Sequence, residues 1–333
     1  MRIGLIDFDS KIPNLSLMKL SAFYKARGCK VTLNNFSPSQ VDRVFCSVIF
    51  TRNRRSADLL RGVYGERISF GGTGYDVAAR LPEEIESMRP DYDLYSQEFI
   101  YSRINRGIGK KETKLAKAQT LIDAGIGRLS TGCPRSCAFC CIPTKEPEFR
   151  RVGEVADILN PRSNVLVLLD NNLLALPESL DILRELRERK LTVDIAQGID
   201  MRLMTDELAR ELASIRHLRS LHFAWDLMES EATVLSGLSV LTKRIKSWRL
   251  MCFVLTGFNT SFDEDEYRVR KLINKGVDPF VMVHDSSSDV KLKHYQRYIN
   301  ARIYKACDRF EDYLPWQSVR CQRGSGSLFE GNT

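Results

Sequence analysis

The sequence predicts an α/β chain: an N-terminal open parallel sheet of Rossmann-like layout, then a run of strand–helix units, then a helical region. Three observations carry this reading. Short apolar runs alternate with helical patterns from the first residues onward. The 333 residues suffice for roughly two domains at ~150 residues each. In the second half the strand-then-helix unit recurs six times, and such alternation builds parallel sheets covered on both faces.

Ile3 to Phe8 is the first apolar run and suits a buried parallel strand. Asn14 is placed to cap the next helix, in which Leu17, Leu20 and Tyr24 share a face, and Gly28 ends it. Lys30 to Leu33 reads as a second strand, and Val41 to Phe50 carries a third, rich in Val, Ile and Phe. Arg67 to Phe70 is a fourth, running into Gly71-Gly72-Thr73-Gly74. That glycine run suits either a tight turn with positive φ or close approach to a phosphate or flat cofactor. A polar stretch, roughly Pro90 to Thr120, links the halves. The six later strands are expected at Gly127 to Thr131, Val165 to Asp170, Thr192 to Gln197, Ser220 to Asp226, Leu250 to Thr256 and Phe280 to Asp285. Helical patterns lie between them, as at Pro177 to Arg189 and Thr205 to Ile215. Tyr295 to Tyr313 reads as a closing helical region, and Arg323 to Thr333 as a Gly- and Ser-containing tail. The expected divisions are 1–118, 119–290 and 291–333.

Hydrophobic residues make up 43%, enough for a sizeable core, and no apolar run reaches the length of a membrane span. No secretory or transit pattern is expected at the start. Nine cysteines, three of them in one loop, point to a reducing cytoplasm. The formal charge of +8 is partly bunched, at Arg52, Arg54, Arg55 and Arg61, then at Arg103, Arg106, Lys110, Lys111, Lys114 and Lys117. Such charge can attract nucleic acid. A solvated face is the simpler reading, because no zinc finger or RNP box accompanies it.

The chemistry-bearing segment is Gly132-Cys133-Pro134-Arg135-Ser136-Cys137-Ala138-Phe139-Cys140, with the spacing CxxxCxxC. Three thiolates in one loop without an obvious fourth point to a metal or iron–sulfur site that keeps one position open. Zinc would need a fourth ligand, and Cys141 is adjacent to Cys140, where neighbours rarely both reach one tetrahedral ion. Cys133, Cys137 and Cys140 are therefore the candidate metal ligands. Their loop follows the first strand of the second half, at the carboxyl end where βα barrels keep their chemistry.

This loop, including the aromatic Phe139 before its last cysteine, resembles that of the radical S-adenosylmethionine (radical SAM) enzymes. The six βα units are similar to that family's partial (β/α)6 barrel. The resemblance implies a 4Fe–4S cluster on the three cysteines, with S-adenosylmethionine on its fourth iron. It implies reductive cleavage to a 5′-deoxyadenosyl radical, hydrogen abstraction from an unidentified substrate, and a small electron donor such as flavodoxin or ferredoxin. Phe139 would pack beside the adenine. Asp170-Asn171-Asn172 stands where the family has a Gly-Gly-Glu motif for the methionyl amine. Asp170 and the amides of Asn171 and Asn172 offer acceptors for an ammonium, and a helix cap before Leu173 is the alternative. Gln197 and Asp200 would bond ribose hydroxyls, and Arg202 the methionyl carboxylate. Thr256-Gly257-Phe258-Asn259 resembles the family's GxIxGxxE motif in loose shape, which places Gly257 behind the adenine. Trp225, Asp226, His284 and Asp285 are further strand-end residues, able to face either cofactor or substrate.

The front half resembles the cobalamin-binding type of open sheet that precedes the barrel in one branch of the family. Asp7 matches the first position of the DxHxxG motif, but Asp9 replaces the histidine and Ile12 the glycine. The histidines, His217, His222, His284 and His294, all lie in the later half, so cobalamin held by a histidine is not expected. The front half then reads as a recognition or structural platform, with its glycine turn at the barrel mouth. Three other functions stay open. One is cobalamin-dependent methyl transfer. Another is methylthiotransferase-like modification of RNA or protein, although only Cys29 and Cys46 lie where that family carries three extra cysteines. The third is a non-enzymatic, metal-stabilised nucleic-acid-binding module. Cys252, Cys307 and Cys321 are too widely spaced for an auxiliary cluster and read as buried thiols.

Overall fold

A computed structural model describes residues 1–104, 109–284 and 288–317. The chain divides into two units, Met1–Ala196 with Ile215–Leu218, and Gln197–Ser214 with the residues from Arg219 onward.

The first unit begins with β1 (Arg2–Asp7), α1 (Leu15–Ala26), β2 (Lys30–Leu33), β3 (Arg43–Ser47), α2 (Arg54–Asp58), α3 (Leu60–Tyr64) and β4 (Ile68–Gly71). The strands form one parallel sheet in the order β2-β1-β3-β4, with Leu5 beside Leu33 on one side and Phe45 on the other. Side chains alternate across it with the period of a strand. Ile3 and Leu5 pack with Leu17, Leu20 and Phe23 of α1, while Val44 and Cys46 pack with Ala57 and Tyr64 on the opposite face. Each fully buried aliphatic side chain contributes about 1.5–3 kcal/mol. Asn14 caps α1 as expected, its Oδ1 accepting the Leu17 N–H at 3.2 Å.

Next come α4 (Glu83–Glu86), α5 (Gln97–Ile104) and α6 (Lys111–Asp123). The stretch expected as a polar link is thus largely helical and packed. Ile100, Ala118, Leu121 and Ile122 share a core with Leu15, Met18 and Tyr95. A narrow apolar stripe among lysines suffices for this, and overall polarity hides it. Arg103 donates to the carbonyls of Asp7 and Phe8, at 2.7 and 2.8 Å. Arg106 lies outside the described residues.

The unit continues through β5 (Gly125–Gly127), β6 (Ser130–Thr131), α7 (Ile142–Lys145), β7 (Arg150–Arg151), β8 (Val165–Leu168), α8 (Ser179–Glu188), β9 (Thr192–Ile195) and β10 (Arg216–His217). A second parallel sheet has the order β10-β9-β8-β5, and β6 and β7 form a separate antiparallel ladder. The single strand expected from Gly127 to Thr131 is therefore two pieces. One pairs with β8, and the other closes the cysteine loop against β7.

The second unit contains α9 (Asp206–Ser214), β11 (Leu221–Ala224), α10 (Glu231–Thr242), β12 (Leu250–Thr256), α11 (Phe262–Asn274), β13 (Asp278–Val283) and α12 (Val290–Asn300). Its parallel sheet runs β11-β12-β13, and Ile199 adds a parallel bridge to Phe223. A Ser261–Glu264 capping box starts α11. Five of the six expected strands thus lie in parallel sheets, and the first joins one only through Gly127, in an α/β arrangement. The closing region is α12 with short turns, packed through Tyr295, Tyr298, Phe310 and Tyr313. Asp285, Cys321 and the tail from 323 to 333 lie outside the described residues. Among the described residues no helix is long and apolar enough to cross a membrane.

Candidate functional site

Within the first unit the cysteine loop starts from β6 and returns through β7. The Val152 N–H extends the closure to the Leu129 carbonyl at 2.8 Å. Gly132 opens the loop at φ +71°, and a Cβ there would lie 2.3 Å from the Glu148 carbonyl oxygen, so the turn requires glycine. Cys133, Cys137, Cys140 and Phe139 are all half-buried on this loop, and the Cys140 N–H turns back onto the Cys137 carbonyl at 2.9 Å. Two N–H groups point at sulfur. Asn172 Nδ2 is 3.6 Å from Cys133 Sγ, and the Ile142 backbone N is 3.4 Å from Cys140 Sγ. Donors of this kind favour a thiolate. The Ile142 N–H opposes the effect of burial, which, with the neighbouring thiols, pushes the Cys140 pKa up. Among the described residues, no group of three or more His, Cys, Asp or Glu side chains is gathered as a ready-made ion site.

Two carboxylates hold the loop in place. Asp170 is fully buried at the end of β8. Its Oδ1 accepts the Leu129 N–H at 2.9 Å and both the N–H and hydroxyl of Ser130 at 2.6 Å. Its Oδ2 has no hydrogen-bond partner among the described residues, and burial raises its pKa against those bonds. The second carboxylate, Glu146, was not marked by any sequence motif. Its Oε1 pairs with Arg128 at 2.5 Å. Its Oε2 accepts from the Gly132 N–H at 2.8 Å and from Asn171 Nδ2 at 2.7 Å. Burial pushes its pKa up, but Arg128, the Gly132 N–H and Lys145 outweigh burial and hold it below the usual range. Asp170 and Asn171, expected to face a ligand, are thus both also ties within the chain.

In the front sheet, strand order reverses between β1 and β3, where open α/β sheets bind ligands. The chain's own polar groups meet there. Asp9 accepts the N–H groups of Ile49 and Phe50 at 2.7 and 3.0 Å and Asn53 Nδ2 at 2.8 Å. Asp7, buried and with its pKa raised by that burial, accepts from the Ser10 N–H and the Tyr95 hydroxyl. The residue standing in place of the cobalamin histidine is therefore a fastener for the loop after β3. The glycine turn after β4 answers crowding within the chain. A Cβ on Gly72 would meet the Val48 carbonyl oxygen at 2.3 Å, and one on Gly74 would meet the Phe50 carbonyl carbon at 2.5 Å.

In the second unit, Asp200 holds Arg202 through Nε at 2.6 Å and Nη2 at 3.0 Å. A ligand carboxylate at Arg202 must compete with that fork. Gln197 is exposed, and Gly257 sits at φ +73° with its N–H 3.4 Å from Asp265. At the ends of β11 and β12, the buried Arg268 donates to the carbonyls of Trp225 and Leu255, each at 2.7 Å, and pairs with Asp265 at 2.5 Å. Asp226 accepts the Leu255 N–H at 3.2 Å. Burial pushes its pKa up to about 6, against the Leu255 N–H, Arg268 and Arg202. The His284 ring lies 5.0 Å from that of Phe258.

No family model matches the chain. No curated protein matches it either. Among solved structures it is similar to a crystal structure of SuiB from Streptococcus suis bound to S-adenosylmethionine. The TM-score is 0.37 and the identity 11%, over 60% of this chain and 52% of that one. The chain thus spans about half the length of the structure it matches. At that level of similarity, function has to be argued from the residues themselves.

Proposed function

We propose that this chain is a radical SAM enzyme in which Cys133, Cys137 and Cys140 hold a 4Fe–4S cluster, leaving one iron for S-adenosylmethionine. The observation that carries the reading is three half-buried cysteines on one loop, closed by a strand ladder, with N–H donors aimed at two of the sulfurs. When bound, the cluster supplies the electron that cleaves the sulfonium and so yields a 5′-deoxyadenosyl radical for hydrogen abstraction.

The chain's own residues bind and orient. Glu146 fixes the root of the loop through Gly132. Asp170 fixes residues 129 and 130 with one oxygen and keeps the other for the ligand's ammonium group. Phe139 serves the adenine. In this reading residues 1–118 are a platform, 119–290 the catalytic barrel and 291–333 the closing region.

Anaerobic reconstitution with iron and sulfide tests the cluster assignment. About four irons per chain and a reducible absorbance are expected, with both lost when any one of Cys133, Cys137 or Cys140 becomes alanine. Full iron content in the triple alanine variant, or a redox-silent metal in the wild type, would sink it.

A further inference from the structure

A cavity of about 650 Å³ opens in the first unit between one face of β3 and β4, helix α1, and the segment that follows the cysteine loop. That volume is in the range of small-molecule sites. Its charges do not balance. Every carboxylate on its wall already has a cation: Glu84 pairs with Arg27 at 3.2 Å, Glu86 with Lys19 at 2.9 Å, Glu146 with Arg128 at 2.5 Å and Glu148 with Arg150 at 3.5 Å. Three cations on the wall have none among the described residues. Lys145 Nζ donates to the Thr73 hydroxyl at 2.7 Å. The Arg80 guanidinium donates only to carbonyls, those of Val77, Ala79 and Thr144. Arg43 lies 5.0 Å over the Phe45 ring.

Neutral partners satisfy the hydrogen bonds of these cations but leave their charge standing. A recess with apolar walls focuses such a field. Burial, and then Arg128, hold Lys145 below the usual lysine range, and the field of Glu146, which is itself paired with Arg128, does not restore it. Beside the cations lies an apolar floor. The Tyr24 and Phe45 rings are 5.4 Å apart, with Leu17 and Leu81 alongside.

We infer that this cavity binds a small aromatic anion, a phosphate or carboxylate carried on a flat ring, with Lys145 and Arg80 holding the anion and Tyr24 and Phe45 the ring. The site stands independently of the cluster reading. Because Glu146 both lines the cavity and holds the Gly132 N–H, an occupant also touches the wall that supports the cysteine loop.

Isothermal titration of the full chain with phenyl phosphate tests the inference, with inorganic phosphate and phenol as the anion-only and ring-only probes. Phenyl phosphate is expected to bind saturably and more tightly than either half alone. Lys145→Gln should weaken it roughly tenfold or more, the usual scale for losing a hydrogen bond to a charged group. Arg80→Gln, at an exposed position, gives the same reading should Lys145→Gln melt early. Absence of saturable heat from phenyl phosphate overturns the site, as does unchanged affinity in both variants. Equal binding of inorganic phosphate overturns the aromatic part of the assignment, and equal binding of phenol overturns the anionic part.

Discussion

The ends of β8 and of β11–β12 both carry buried polar networks, built on opposite plans. At β8, carboxylates of Asp170 and Glu146 reach out to backbone N–H groups at 129, 130 and 132 and so hold a loop. At β11 and β12, the guanidinium of Arg268 reaches to the carbonyls of Trp225 and Leu255 and so holds two strand ends together, with Asp265 as countercharge. The first network leaves Asp170 Oδ2 without a partner among the described residues. The second balances its charge internally. Arg268 Nε, like Asp170 Oδ2, has no hydrogen-bond partner among the described residues, so the contrast is between a network that holds a loop and a frame that ties two strand ends.

The largest expected effect breaks the frame. Arg268→Leu leaves Asp265 buried without its cation and should cost about 3–5 kcal/mol, read as a shift of the urea midpoint. A loss below about 1 kcal/mol, the scale of surface pairs, would mean that strand packing alone holds those ends.

Next comes Asp226, whose pKa is raised to about 6 by burial. A raised carboxyl favours folding in its protonated form. Its contribution is fully present below the ordinary carboxyl value and is lost as pH rises through about 6. Asp226→Asn should therefore remove a fall in stability of about 3 kcal/mol between pH 4 and 6, and should melt higher than the wild type at pH 7.5. Parallel pH profiles of variant and wild type would contradict this.

The smallest of the three falls on the loop. Glu146→Gln weakens the Arg128 pair and the tie to Gly132, with an expected loss of about 1.5–3 kcal/mol. Proteolysis should then open the 132–149 segment before the sheets unfold. Unchanged cleavage there would shift the task of holding the loop to the β6–β7 ladder.

What was legible in the sequence was local. The strand at Leu250–Thr256 coincides with β12 because seven residues of apolar and β-branched character leave little choice. The Asn14 cap and the cysteine spacing are equally local signals. The ties that define the candidate site are not. Asp170 and Leu129 are 41 positions apart, and no pattern around Glu146 announces that it holds Gly132. The glycine turn was ambiguous because its cause, the backbone of residues 48–50, lies in the loop after β3, more than twenty positions away. The packing of α6 was hidden by its lysines, and that of α5 by the polar residues among its apolar ones. Arg202 was read as facing a ligand, and the structure adds a fork to Asp200, two residues back.

The most direct test of the central claim is 5′-deoxyadenosine formation. The reconstituted protein is reduced anaerobically with S-adenosylmethionine present, and the quenched mixture is separated by chromatography. The account expects 5′-deoxyadenosine from the wild type and none from the Cys133→Ala, Cys137→Ala or Cys140→Ala variants. A wild-type protein that carries a reduced cluster and binds S-adenosylmethionine, yet forms no 5′-deoxyadenosine, would contradict it.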